Sequence, residues 1–155
     1  VGLSLRARER CITRLRVVMD QTPSDRYMDP ILVALLIVLR SNKPDLFTRV
    51  ISGEATAETV MEYLASLPNG DEFKTGRPGI VIHAYLMAAD RNHDSVQKRA
   101  AQLREDAENE KLPEDKRRYA AELLEMKRSI NGGMRMGISL APVAAKVDLA
   151  AMVKD

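Results

Sequence analysis

Tryptophan is absent from this 155-residue chain, and only two Phe and four Tyr are present. A core with so few rings has to be built from Leu, Ile, Val, Ala and Met, which suits helix-on-helix packing better than a sandwich of sheets. Cysteine occurs once, as Cys11, so no internal disulfide can form. With only His83 and His93 beside it, no zinc-type ligand set can be assembled, and no metal site is expected. Long apolar runs are missing too. The longest, residues 31–39, is nine residues, against about 20 for a spanning helix, and no membrane partner is expected. Five arginines fall within the first sixteen residues without a continuous apolar stretch, which is not the pattern of a signal peptide. A cytoplasmic location is the expectation. Excess charge is also lacking: the net charge of +2 is too mild to argue for nucleic acid, which stays open as a partner without a motif to support it.

Apolar residues make up 45% of the chain and charged residues 30%, enough for a core and a solvated surface. Leu5, Cys11, Ile12, Leu15, Val18 and Met19 recur at three- and four-residue steps, predicting a helix from a Ser4 cap to about Asp20 with these residues on its buried stripe. Thr22-Pro23-Ser24-Asp25 breaks it. Asp29-Pro30 is a start signal, a capping side chain followed by a proline at the first helical position. Residues 31–39 then follow, apolar on every side, as a helix in the middle of a core should be. A short helix after Pro44 stops at Gly53. Thr56 caps the next, with Glu58 in its first turn and Val60, Tyr63, Leu64 and Leu67 on its buried face. Residues 68–71 end it, a polar loop follows, and residues 80–89 form another apolar helix around His83.

Beyond Asn92 the composition shifts. Residues 94–111 and 114–130 are charged and rich in Ala, Glu, Lys and Arg, with nine charges of each sign between Asp94 and Arg128. Val96, Ala100, Leu103 and Ala107 make a narrow stripe on the first stretch, and Tyr119, Leu123, Met126 and Ile130 one on the second. Leu112-Pro113 divides them, predicting a charged antiparallel helical hairpin. The expectation is an all-α bundle of about seven helices. Residues 1–90 form a globular helical domain, 91–133 the hairpin, and 134–155 a C-terminal helix packing back.

Few residues here can carry chemistry. Residues 70–78, GDEFKTGRP, look superficially suited to phosphate. A P-loop, however, needs four residues between its glycines and then Gly-Lys-Ser/Thr, whereas here five intervene, Arg77 follows the second, and Pro78 removes an amide. The loop reads as a surface connection. No G-x-S-x-G elbow occurs, Cys11 lies on an apolar stripe as an inert thiol, His83 reads as a packed imidazole, and His93 falls in a turn. No catalytic residue is expected. The feature that resists a bland account is the crowding of Arg6, Arg8, Arg10, Arg14 and Arg16 on one helix, with only Glu9 among them. At 100° per residue, Arg6, Arg10 and Arg14 run down one side. Arg8 falls near the apolar stripe, where a guanidinium needs a partner or a route to solvent. This face is either simply solvated or turned toward an anion or an acidic partner.

Residues 3–10, LSLRARER, with Thr13-Arg14-Leu15 and residues 29–36, DPILVALL, resemble the region that follows the nucleotide-binding core of KAP-type P-loop NTPases, relatives of the AAA-like and STAND ATPases. Lys43-Pro44-Asp45-Leu46-Phe47 and Ser52-Gly53-Glu54 continue the likeness, which spans about residues 3–67. The family's Walker motifs would lie upstream, and this chain has neither. The resemblance therefore implies a helical lid or regulatory region of a larger ATPase, non-catalytic alone, cut from a longer protein. ATP and Mg²⁺ would be held by an upstream P-loop domain, with no cofactor in this chain. It also implies that Arg6, with Arg10 one turn below, senses nucleotide near the γ-phosphate, leaving Arg8 and Arg14 as anion- or partner-binding positions. The alternative is a free-standing helical adaptor for protein or nucleic acid. Self-association into a homo-oligomer stays open.

Overall fold

The structure is a computed structural model that describes residues 4–20, 29–90, 93–133 and 140–152. Within them every element is a helix, as expected, but there are nine rather than about seven. The polar stretch read as a loop is one reason. Residues Gly70–Thr75 form a six-residue helix, α5, entered through Asn69 in the left-handed conformation (φ 60°). No helix among the described residues is long and apolar enough to cross a membrane. The break at residues 22–25 lies outside the described residues.

By contact the chain divides into two compact units: residues 1–55 with 139–155, and residues 56–138. The first holds α1 (Leu5–Asp20), α2 (Pro30–Asn42), α3 (Pro44–Ser52) and α9 (Leu140–Met152). Helix α2 is its centre and packs on the other three. It starts as its sequence predicts, with Asp29 Oδ1 accepting from the amides of Ile31 and Leu32 at 2.8 and 3.4 Å. Leu32, Val33, Leu35, Leu36, Ile37 and Leu39 are buried. Helix α3 ends at Gly53, whose φ of 81° lets its amide return to the last carbonyls of the helix. Arg40 on α2 pairs with Asp148 on α9 at 2.7 Å and lies over the Phe47 ring of α3.

Helix α1 corrects the expected buried stripe. Val18 is buried, Cys11, Leu15 and Met19 are half-buried, but Leu5 and Ile12 are 72% and 55% exposed. Periodicity identifies the apolar face; which part of it is covered depends on where α2 and α9 pack, and they leave the N-terminal half open. Helix α9 begins at Leu140, two residues ahead of Pro142, which is tolerated because a proline in the first turn removes no helical hydrogen bond.

The second unit contains α4 (Ala57–Ala65), α5, α6 (Arg77–Ala89), α7 (His93–Glu108) and α8 (Glu114–Gly133). His93 thus opens a helix and does not lie in a turn. Thr56 caps α4 by accepting from the Thr59 amide at 3.3 Å. Helix α6 is buried almost all round, and α8 packs against both α6 and α7. The stripes of the charged helices are covered in part: Ala100, Leu103, Leu123 and Ile130 are buried, while Val96, Ala107, Tyr119 and Met126 are half-buried. The glycines around α5 let helices approach closely. A Cβ on Gly70 would strike the carbonyls of Leu64 and Ala65, and one on Gly79 those of Phe73 and Lys74.

Candidate functional site

The arginines of α1 are placed by one helix and diverge in what they do. Arg6, Arg8 and Arg10 are exposed, while Arg14 is half-buried and donates from Nη1 to Ser41 Oγ on α2 at 3.0 Å. Arg14 therefore helps hold α1 to α2. Arg6 and Arg10, one turn apart, line an open depression of about 410 Å³ together with Glu9 and Thr13. Two guanidiniums on a single helix can meet an anion, but they provide no backbone cradle. A nucleotide would have to be held chiefly by other groups.

A second set of polar residues is assembled entirely inside the second unit. The Thr56 cap puts Glu58 in the first turn of α4, α6 brings His83, α7 brings Arg99 and α8 brings Tyr119. His83 is 2% exposed, and an imidazole so deeply buried needs partners for both nitrogens. Nδ1 has one in the Tyr119 hydroxyl at 2.8 Å. Nε2 stands 3.6 Å from Glu58 Oε1, beyond hydrogen-bond length. Arg99 Nε approaches the same oxygen to 3.1 Å. These three atoms, Glu58 Oε1, His83 Nε2 and Arg99 Nε, are buried and lack a well-formed hydrogen bond among the described residues.

Their residues border an open groove of about 390 Å³ that Met61, Leu103 and Ala120 also adjoin, although those three are buried and the three polar atoms are themselves closed off from it. Exposed Glu62, Asp115 and Lys116 and half-buried Lys74 and Asp106 complete its wall. The contact with His83, reinforced by Arg99, holds the Glu58 carboxyl down at about 2, against the opposing effect of its burial. Burial pushes the Tyr119 phenol up to about 12. Both groups are therefore far from the range in which proton transfer near neutral pH is efficient. Among the described residues there is no group of three or more side chains able to hold a metal ion.

The depressed Glu58 carboxyl has a measurable consequence. Its folded value lies below the ordinary 4.5, so its contribution is fully present above that pH and is lost as pH falls from 4.5 toward 2. With 36% of the Glu58 side chain exposed, screening by solvent reduces it to about 1 kcal/mol. Urea unfolding should show wild type more stable than Glu58→Gln at pH 6, with the difference shrinking over that acid window. A difference that stays constant from pH 6 to pH 2 would show that Glu58 does not titrate in its folded contacts.

None of these four residues stood out as functional in the sequence. Glu58 reads as a first-turn acid, His83 as filler in an apolar helix, Tyr119 as one member of a stripe, and Arg99 as one surface charge among many. The available signal was weak but physical: an imidazole and a phenol placed among aliphatic side chains must each find a polar partner. No protein-family model, curated protein or solved structure matches this chain.

Proposed function

We propose that the chain is the helical lid or regulatory region of a KAP-type P-loop ATPase, non-catalytic alone, with α1 as its nucleotide-facing element. The observation that carries this reading is the exposure of two apolar residues of α1, Leu5 and Ile12. Leu5 and Ile12 stand exposed beside exposed Arg6 and Arg10, an apolar and cationic surface of the kind that docks against an acidic surface or a bound anion. In this reading the partner is the P-loop domain upstream in the same protein. Arg6, in the first turn, reaches outward to the γ-phosphate and neutralises charge as it transfers. Helices α7 and α8, joined by residues 109–113, form the charged antiparallel hairpin through which the nucleotide state is read by other partners.

The experiment is Arg6→Ala in the full-length ATPase, with Arg16→Ala as a control on the same helix. Hydrolysis should fall at least tenfold, or about 1.4 kcal/mol of barrier, while nucleotide binding largely survives. Unchanged turnover would remove the sensing role. The exposed Leu5 and Ile12 equally favour a second reading, a free-standing helical adaptor whose α1 docks on another protein. A coding sequence with a Walker A motif upstream supports the first reading, and a native start at this N-terminus supports the second.

A further inference from the structure

Seven residues separate Leu5 from Ile12 on α1, and seven more lead to Met19. Positions seven apart on a helix are turned from one another by only about 20°, so these three side chains form one row. Arg8 and Leu15 fall between them at three- and four-residue steps, which completes the a and d pattern of a helix–helix seam. The cover over this seam changes along its length. Met19 and Leu15 are half-buried, whereas Ile12 and Leu5 are 55% and 72% exposed. A single exposed aliphatic side chain is ordinary. Two that continue a partly covered row are the open end of a packing surface. From Leu5 to Met19 the row runs about 21 Å, which four turns of a second helix would cover.

The charges around the row select the kind of helix that fits. Helix α1 carries Arg6, Arg8, Arg10, Arg14 and Arg16 against Glu9 and Asp20, and Arg8 occupies a seam position itself. A second copy of α1 would set this arginine excess against its own image, and like charges brought together at an interface oppose association. A basic partner meets the same repulsion. Nucleic acid would suit the guanidiniums, but its phosphates would leave the apolar surface of Leu5 and Ile12 without a counterpart. An amphipathic helix with aliphatic residues on its own seam and carboxylates beside them matches both halves of the surface. Its aliphatic residues cover Leu5 and Ile12, and its carboxylates accept from the guanidiniums. Arg6 is turned about 100° from Leu5 around the helix, so the row and the face given to nucleotide are separate parts of α1.

We propose that the seam of Leu5, Arg8, Ile12 and Leu15 docks an acidic amphipathic helix of its protein partner. This deepens the docking reading of α1 and rests on it for the surface, not for the nucleotide. The test uses the full chain and three fluorescein-labelled synthetic peptides of equal length. One has three heptads with Leu at a and d and Glu at e and g, the second has Lys in place of Glu, and the third is the Glu peptide scrambled. In fluorescence anisotropy the Glu peptide should bind saturably, with a Kd at least tenfold below that of the Lys peptide and fivefold below that of the scrambled one. Ile12→Lys separates packing from charge attraction. It adds a positive charge, so attraction alone would tighten the Glu peptide, whereas loss of the seam should weaken it at least fivefold with circular dichroism unchanged. If that variant misfolds, the scrambled peptide makes the same distinction on the wild type. No saturable binding of the Glu peptide, or equal binding of either other peptide, would overturn the proposal. So would a dimer in sedimentation that Ile12→Lys dissociates, or tighter binding of a short DNA duplex than of the Glu peptide, since either gives the row to another occupant. None of these measurements involves ATP, so peptide binding can fail while Arg6→Ala still lowers hydrolysis, and it can succeed where Arg6→Ala changes nothing.

Discussion

Truncating Leu36 to alanine should lower the free energy of unfolding by about 2–5 kcal/mol. Leu36 is completely buried, 0% exposed, at the middle of the helix on which α1, α3 and α9 all pack. Removing its branched end loses the transfer free energy of those carbons and leaves a void. A side chain with no exposed surface has no solvent-facing side from which its void can be closed, so relaxation is limited and the cost should lie well above that of a surface change. Ile31, on the same helix but 39% exposed, is the control. Its truncation should cost about 1 kcal/mol or less, because part of the side chain is already in water. Urea unfolding at constant m-value measures both. Equal shifts for Leu36→Ala and Ile31→Ala would mean that α2 is not the centre of its unit.

The second large effect is at Gly79, where two opposing contributions can be ranked. Alanine in place of a helical glycine ordinarily stabilises by about 1 kcal/mol. At Gly79 the added carbon would meet the Phe73 and Lys74 carbonyl oxygens, the latter at 2.7 Å, and the Lys74 carbonyl carbon at 2.9 Å. These are backbone atoms of α5 and cannot rotate aside, so α5 and α6 must separate, and overpacking of this kind costs about 1–3 kcal/mol or more. The clash should win, and Gly79→Ala should destabilise the protein. Gly132, on α8, has nothing within 4 Å of an added Cβ. Gly132→Ala should show the propensity gain alone, up to about 1 kcal/mol. Opposite signs for the two variants in thermal unfolding are the expected result. A stabilised Gly79→Ala would mean that α5 does not approach α6 this closely.

Gly79 also shows what the glycines of a phosphate-like stretch do in the fold. The glycines of residues 70–79 were legible as a departure from the P-loop spacing, but their purpose was not. Gly70 and Gly79 serve the close approach of α5 to its neighbours, and a six-residue helix is too short to reveal itself through periodicity. On α1 the opposite happened: the period was clear and the expected burial was wrong for Leu5 and Ile12. Local sequence encodes the direction in which a side chain points, whereas its burial depends on a neighbour that arrives from elsewhere in the chain.

By itself, the amino-acid sequence determined the helical class, the caps at Asp29 and Thr56, the stop at Gly53 and the burial of most of residues 31–39, where Leu32, Val33, Leu35, Leu36, Ile37 and Leu39 are buried but Ile31 is 39% exposed. Each follows from interactions within a few residues, or from an apolar run with no polar side to expose. Tertiary structure alone decided that Glu58, His83, Arg99 and Tyr119 share one cluster. They come from four helices, and His83 and Tyr119 are 36 residues apart. No local rule links a first-turn acid to an imidazole on another helix. Only the packing of α4, α6, α7 and α8 sets their distances, and with them the 3.6 Å gap between two polar atoms that do not satisfy each other.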